Sequence, residues 1–154
     1  MGAEWANRAY PAEILLVEDD PDAVELTLQA LRAHRPGSRV QLARDGAEAL
    51  DFLLCRGSHA QRRGDSDPTV VLLDLKLPRV DGLEVLRQMR NDVRTRATPV
   101  VVLTSSRESP DVARSYELGA NSYIVKPVNY EKFHAAIGQI SHYWLQLNEP
   151  RPQH

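Results

Sequence analysis

The sequence predicts an α/β protein with a doubly wound, five-stranded parallel sheet and helices on both faces. Three observations support this fold class. Short aliphatic runs without polar alternation recur along the chain, as expected of strands buried on both faces. A helical pattern lies between successive runs, which favours parallel strands joined by right-handed crossovers. The length of 154 residues suits one domain. The unalternated runs are residues 14–17, 70–73, 100–103 and 123–125.

Capping and turn residues mark the remaining elements in order. A fifth run, residues 39–42, alternates polar and apolar side chains, which is typical of an edge strand. Each helix is preceded by a residue that can cap it, often followed by proline or glycine. The predicted helix starts are Asp20-Pro21, Asp45-Gly46, Asp81, Ser109-Pro110 and Asn129. The fourth helix is expected to stop at Gly119, and the last to run to about Leu147.

Composition excludes several classes of protein. The formal net charge is −2, so the chain lacks the strongly basic balance typical of a nucleic-acid binder. Apolar residues make up 42% and charged residues 26%, an ordinary globular mixture. No apolar run is long enough to span a bilayer, and the first eleven residues do not resemble a secretory signal. The single cysteine, Cys55, excludes an internal disulfide. We therefore expect a cytoplasmic protein without a direct nucleic-acid or membrane partner.

We expect three segments along the chain. Residues 1–12 form an N-terminal extension, expected to be partly disordered; residues 13–147 form the domain; residues 148–154 form a tail. Within the domain, residues 56–68 make an unusually long link between a helix and a strand. A solvated insertion and a partner-binding loop both explain it.

Polar side chains follow four of the predicted strands. Glu18, Asp19 and Asp20 come after the first run, and Asp74 follows residues 70–73. Thr104-Ser105 and Lys126-Pro127 follow the later runs. Taken singly, each has an ordinary explanation as a cap, a turn or a packed hydroxyl, and Asp20 is expected to be only a helix cap. In a parallel sheet, however, these positions share one edge, where ligands bind.

The combined residue types are suited to phosphoryl chemistry. Clustered carboxylates repel one another unless a cation binds, and a few hard oxygen ligands suit Mg²⁺. A carboxylate beside Mg²⁺ can attack a phosphoryl group and form an aspartyl-phosphate, while a lysine and a hydroxyl stabilise the phosphoryl oxygens. No glycine-rich phosphate loop is present, which argues against a bound nucleotide as the donor.

These motifs resemble the receiver domain of two-component response regulators. The resemblance runs from about Glu13 to Tyr143. It is carried by residues 16–20 (LVEDD), 72–78 (LLDLKLP), 81–82 (DG), 103–105 (LTS) and 123–127 (YIVKP). It implies a flavodoxin-like sheet with strand order 2-1-3-4-5. The insertion, residues 115–123 and the aromatic tail also resemble regulators paired with phytochrome-type histidine kinases.

The resemblance implies a role for each site residue. Asp74 would accept a phosphoryl group from a phosphohistidine of a sensor kinase, and Lys126 would pair with it. Glu18, Asp19, Asp74 and the backbone carbonyl of Lys76 would hold Mg²⁺. Thr104 and Tyr123 would be the switch residues. The resemblance also implies a cis bond between Lys126 and Pro127.

Two alternative functions and one assembly remain open. A phosphatase-like hydrolase would use Asp74 as a nucleophile, but such enzymes usually carry a second acid two residues later, where this chain has Lys76. A receiver-like binding module without phosphorylation would be expected to lack the acceptor, the lysine or the acidic pair. The last helix carries a heptad seam that ends in Trp144 and Leu147. One stripe of the helix is needed simply to cover the sheet, which also explains the seam. An exposed aromatic patch at Tyr143, Trp144 and Leu147 instead predicts a homodimer through the last helix and the adjoining sheet edge.

Overall fold

The computed structural model describes residues 12–62 and 67–152. Nearly all of the N-terminal extension, residues 63–66 of the insertion and the last two residues of the tail lie outside these ranges. The strands are β1 (Ile14–Val17), β2 (Val40–Ala43), β3 (Val70–Leu73), β4 (Val100–Thr104) and β5 (Ser122–Val125). The helices are α1 (Pro21–His34), α2 (Gly46–Leu53), α3 (Gly82–Asn91), α4 (Ser109–Glu117) and α5 (Tyr130–His142). Within the described residues, no helix combines the length and apolarity needed to cross a membrane.

All strand pairs are parallel, and the sheet has the order β2-β1-β3-β4-β5, which confirms the predicted fold class. Successive side chains of a strand point to opposite faces, so β1 contributes to two cores. Leu15 and Val17 pack with residues of α2 and α3 on one face. Ile14 and Leu16 pack with residues of α1 and α5 on the other. The doubly wound arrangement therefore follows from the unalternated aliphatic runs.

The two edge strands differ from the interior ones. β2 is an edge strand, as its alternation predicts. β5 forms the opposite edge, and all four of its residues are only half-buried. The expectation that residues 123–125 are buried on both faces is therefore wrong, because β5 pairs only with β4. An aliphatic run alone does not distinguish an edge strand that helices partly cover from an interior one.

The described part of the insertion packs against α2. A short 3₁₀ helix, Gly57–His59, follows α2. Farther along, the guanidinium of Arg62 lies 4.2 Å from the centre of the Phe52 ring. Arg62 also donates to the main-chain oxygens of Phe52 (2.8 Å) and Leu53 (3.2 Å), which lie in the last turn of α2. This part of the insertion is held to the domain by those contacts.

The last helix packs along α1 and then changes geometry. A side chain at Gly138 would meet the ring of His34 at 2.6 Å, so glycine lets the two helices approach closely. Next to this contact, His34 Nε2 lies 3.0 Å from His134 Nδ1. After His142 the chain continues as a π-helical turn, Tyr143–Leu147, in which Leu147 is largely exposed.

Candidate functional site

Glu18 and Asp19 stand at the carboxyl end of β1. The backbone N–H of Glu18 donates to Ala43 of β2, so the sheet hydrogen bonding continues to this residue (3.0 Å). Glu18 is buried, whereas Asp19 is exposed. Asp20 accepts a hydrogen bond from the N–H of Asp22 (3.2 Å) and caps α1, as predicted. Asp20 therefore serves as a helix cap, whereas the carboxylates of Glu18 and Asp19 lie at the carboxyl edge of the sheet.

Asp74 follows β3 on the neighbouring strand. Its backbone N–H donates to Val17 of β1 (3.1 Å), and its residue exposure is only 8%. One carboxylate oxygen accepts from the N–H of Lys76 (3.4 Å). Directly beneath it, a Cβ at Gly82 would lie 2.2 Å from the main-chain oxygen of Asp74. The start of α3 therefore supports the loop that carries Asp74 at a distance that only glycine permits.

Lys126 reaches the same place from β5. Its backbone N–H donates to the main-chain oxygen of Thr104 (2.7 Å), which extends the pairing of β5 with β4. The ammonium forms ion pairs with Glu18 and with Asp74, the latter at 3.2 Å. Among the described residues no peptide bond is cis, so the expected cis bond between Lys126 and Pro127 is wrong. The trans form is the lower in energy even before proline.

The protonation equilibria reflect this crowding. Burial raises the pKa of Glu18 to about 6; the Asp74 charge adds to the rise, and the hydrogen bond from Lys126 opposes it. Burial lowers the pKa of Lys126, but the hydrogen bond with Glu18 and the charge of Asp74 outweigh it, and the net pKa is raised. At neutral pH the ammonium is therefore retained between two carboxylates.

Glu18, Asp19 and Asp74 meet the requirement for a cation site. Each offers a carboxylate oxygen, and these three atoms lie within 4.8 Å of one another. One ammonium faces the cluster, so its formal charge with all carboxylates ionised is −2. Three hard oxygen ligands, one of them from the exposed Asp19, suit Mg²⁺ or Mn²⁺ rather than a thiolate-preferring or imidazole-preferring metal.

Thr104 and Tyr123 lie beside this cluster on β4 and β5. Thr104 ends β4 and is fully buried, and its hydroxyl oxygen accepts weakly from the N–H of Ser106 (3.4 Å). The hydroxyl of Tyr123 donates to the main-chain oxygen of Ser106 (3.0 Å). Burial raises the pKa of Tyr123, and the charges of Asp111 and Asp74 add to the rise. Ser105, by contrast, is exposed.

Sequence reasoning missed the contribution of Asp111. It lies in the first turn of α4 and accepts a hydrogen bond from the Ser106 hydroxyl (2.5 Å). The sequence carries only an ordinary sign of it, an acidic residue in the first turn of a helix. Nothing in that sign indicates that Asp111 contacts the loop after Thr104.

Comparison with known proteins agrees with this geometry. Residues 14–138 match the family model described as "Response regulator receiver domain". The chain is 42% identical over 138 residues to a probable methanogenesis regulatory protein, FilR2, of Methanothrix harundinacea; the match covers 90% of this chain and 86% of FilR2. It is 35% identical over 136 residues to response regulator Rcp1 of Synechocystis, with coverage of 88% and 90%.

Solved structures give the same grouping. The phosphorylated cyanobacterial phytochrome response regulator RcpA superposes with a TM-score of 0.85 at 34% identity, covering 93% of this chain and 99% of RcpA. The Mn²⁺-bound form of Rcp1 gives 0.84 at 34% identity, with coverage of 92% and 100%. The bacteriophytochrome response regulator AtBRR gives 0.71 at 53% identity, with coverage of 91% and 99%. The chain is thus similar to regulators of the phytochrome-associated type.

Proposed function

Since the chain belongs to the response regulator receiver family, we propose that it receives a phosphoryl group on Asp74 in a two-component phosphorelay. One observation carries the choice of residue: the nearly buried carboxylate of Asp74 accepts from Lys126 and shares a cluster with Glu18 and Asp19. A phosphorylated form of RcpA and a Mn²⁺-bound form of Rcp1 support the chemistry by analogy.

The proposed transfer needs only groups at this edge of the sheet. An oxygen of Asp74 attacks the phosphorus of a phosphohistidine, so that a P–O bond forms, the N–P bond breaks and the imidazole nitrogen keeps the electron pair. Lys126 holds its ammonium beside the attacking carboxylate of Asp74 and balances the negative charge there. Glu18, Asp19, Asp74 and the main-chain oxygen of Lys76 would hold Mg²⁺, which when bound neutralises phosphoryl oxygens.

We assign the response to Thr104 and Tyr123. The Thr104 hydroxyl moves toward the phosphoryl group, and Tyr123 adjusts with it. The observation behind this assignment is that both residues contact Ser106, which lies in the loop before α4. Phosphorylation then shifts a population of loop and α4 arrangements and changes the surface that a partner binds.

A sensor histidine kinase is the proposed phosphoryl donor, and the similarity to RcpA and AtBRR points to a phytochrome-type kinase. The family is one of signalling domains rather than of catalytic enzymes. Self-directed phosphotransfer and autodephosphorylation are the only reactions we propose. We also propose a cytoplasmic location without direct binding of nucleic acid, in keeping with a net charge of −2.

Phosphorylation can be tested by mass. The protein is incubated with acetyl phosphate and Mg²⁺, and we expect a gain of one phosphoryl group that is absent in Asp74→Asn. Asp22→Asn, which changes an exposed carboxylate in the first turn of α1, serves as the control and keeps the adduct. Rapid turnover of assorted phosphoesters would favour the hydrolase instead. No adduct from acetyl phosphate or from phosphorylated kinase would favour a binding module.

The homodimer through the last helix remains a prediction. Tyr143 and Leu147 are 48% and 64% exposed, which leaves an apolar patch on the terminal turn. A second copy would cover it, and Leu147→Glu should then reduce the mass measured by light scattering to that of a monomer. A monomeric mass for the unmodified chain at tens of micromolar, with and without beryllofluoride, would contradict the prediction.

A further inference from the structure

Ser106 links the two assigned switch residues to α4. Its backbone N–H approaches the hydroxyl oxygen of Thr104 (3.4 Å), and its main-chain oxygen accepts from the Tyr123 hydroxyl (3.0 Å). Its side chain turns the other way, and the hydroxyl donates to Asp111 (2.5 Å). A single residue of the loop thus contacts β4, β5 and α4.

The beginning of α4 explains why the serine side chain is held there. The N-cap residue Glu108 makes no capping hydrogen bond with its own side chain. In a capping box, an acidic side chain at the third helical position accepts directly from the N-cap N–H. Here Asp111 occupies that position, and the Ser106 hydroxyl stands between the two groups. It accepts from the N–H of Glu108 (3.3 Å) and donates to Asp111.

The two hydrogen bonds of the Ser106 hydroxyl, to Glu108 and Asp111, also fix the position of the Ser106 main-chain oxygen that accepts from the Tyr123 hydroxyl. With its side chain bound to Glu108 and Asp111, Ser106 has little freedom to rotate its main-chain oxygen away from the phenol. The Asp111 charge also acts on Tyr123, whose pKa is raised mainly by burial and further by Asp111. The phenol, the serine and the carboxylate therefore form one connected unit.

We propose that the Ser106–Asp111 hydrogen bond is a positioning contact that holds the 105–108 loop and the Tyr123 ring in place for phosphoryl binding at Asp74. The inference rests on the proposed function, since it concerns the same site. A loop that is already ordered loses less conformational freedom when the phosphoryl group binds. Neither Ser106 nor Asp111 touches the reacting atoms in this scheme.

Beryllofluoride with Mg²⁺, which imitates the aspartyl-phosphate, provides the test. We expect Ser106→Ala and Asp111→Ala each to weaken its binding by about three- to tenfold, which is part of the net contribution of one hydrogen bond to a charged group. The double variant should have the same affinity for beryllofluoride as the single variant with the lower affinity, because the two residues act through one contact. Ser106→Thr, which retains a hydroxyl, should restore most of the affinity. Ser58→Ala, at an exposed serine of the 3₁₀ helix and outside this loop, should bind like the unmodified chain.

A spectroscopic readout separates positioning from general destabilisation. With ¹³C-labelled tyrosine, the ring signals of Tyr123 should shift or broaden in resting Ser106→Ala and remain unchanged in Ser58→Ala. Tyr123→Phe should weaken beryllofluoride binding to a similar extent without adding to the loss in Ser106→Ala. Unchanged binding and unchanged Tyr123 signals in Ser106→Ala, or fully additive losses, would overturn the inference. If the unmodified chain binds no beryllofluoride through Asp74, the proposed function fails instead.

Discussion

Replacing Lys126 by methionine removes the charge that separates the two buried carboxylates while keeping most of the apolar stem. The structure gives the size of the effect. At 3.2 Å from Asp74, the ammonium attracts that carboxylate by about 5 kcal/mol at an effective dielectric constant of about 20. Desolvation of the ammonium offsets part of this attraction. We therefore expect a loss of roughly 3 kcal/mol in the free energy of unfolding at pH 8, measured in EDTA.

The pH dependence of that loss is the sharper prediction. Glu18, with its pKa raised to about 6, is largely protonated at pH 5 even in the unmodified protein. At pH 5 the ammonium therefore neutralises only Asp74, and the loss in Lys126→Met should fall to about 1–2 kcal/mol. At pH 8 both carboxylates are ionised. Without Lys126 the pKa of Glu18 rises further, because the variant lacks the hydrogen bond and the charge that lower it.

Urea denaturation followed by circular dichroism gives the free energies. Lys132→Met, which removes an exposed ammonium from the first turn of α5, should change the stability by less than about 0.5 kcal/mol and serves as the control. Saturating Mg²⁺ should return most of the stability lost by Lys126→Met, since the cation binds the same carboxylates in the folded state. An equal loss at pH 5 and pH 8, or no recovery with Mg²⁺, would refute the reasoning.

Two further predictions concern the same edge of the sheet. In EDTA, the raised pKa of Glu18 stabilises the folded protein below pH 4.5, and this stabilisation of about 2 kcal/mol is lost as the pH rises through about 6. Urea titrations of Glu18→Gln should show no such pH-dependent loss. Parallel pH profiles for the variant and the unmodified protein would contradict the prediction. Gly82→Ala places a Cβ 2.2 Å from the main-chain oxygen of Asp74, so we expect a loss of about 1–3 kcal/mol and slower phosphorylation by acetyl phosphate. Gly37→Ala, where space is open but φ is +82°, should lower stability without slowing phosphorylation. Equal phosphorylation rates in Gly82→Ala, Gly37→Ala and the unmodified protein would contradict the prediction.

The fold and the main cluster were predictable because they depend on strand direction. Once residues 14–17 and 70–73 are recognised as parallel strands, the residues that follow them must share an edge, and Glu18 and Asp74 come together there. Lys126 joins them for the same reason from β5. The helix starts were equally local, since Asp20, Asp45 and Asp81 cap through their own side chains.

The features that sequence reasoning missed depend on contacts between elements. Ser106 and Asp111 are each ordinary residues for a loop and a first helical turn, and only the path of the loop brings their side chains to 2.5 Å. The half-buried state of β5 depends on where the winding ends. The position of Arg62 over Phe52 likewise depends on how residues 56–62 return across α2. None of these leaves a periodic or capping signal in the sequence.

The close approach of α1 and α5 at Gly138 makes one flank of the molecule more tightly packed than the other. Any larger side chain at Gly138 would clash with the ring of His34, so the two helices are already in closest contact there. α4 buries only Ser115 among its described residues, and β5 is half covered. The flank built from α1 and α5 is therefore the more tightly packed one. Under the proposed function, we expect a structural change that starts at Asp74 to spread through the less tightly packed flank of α4 and β5.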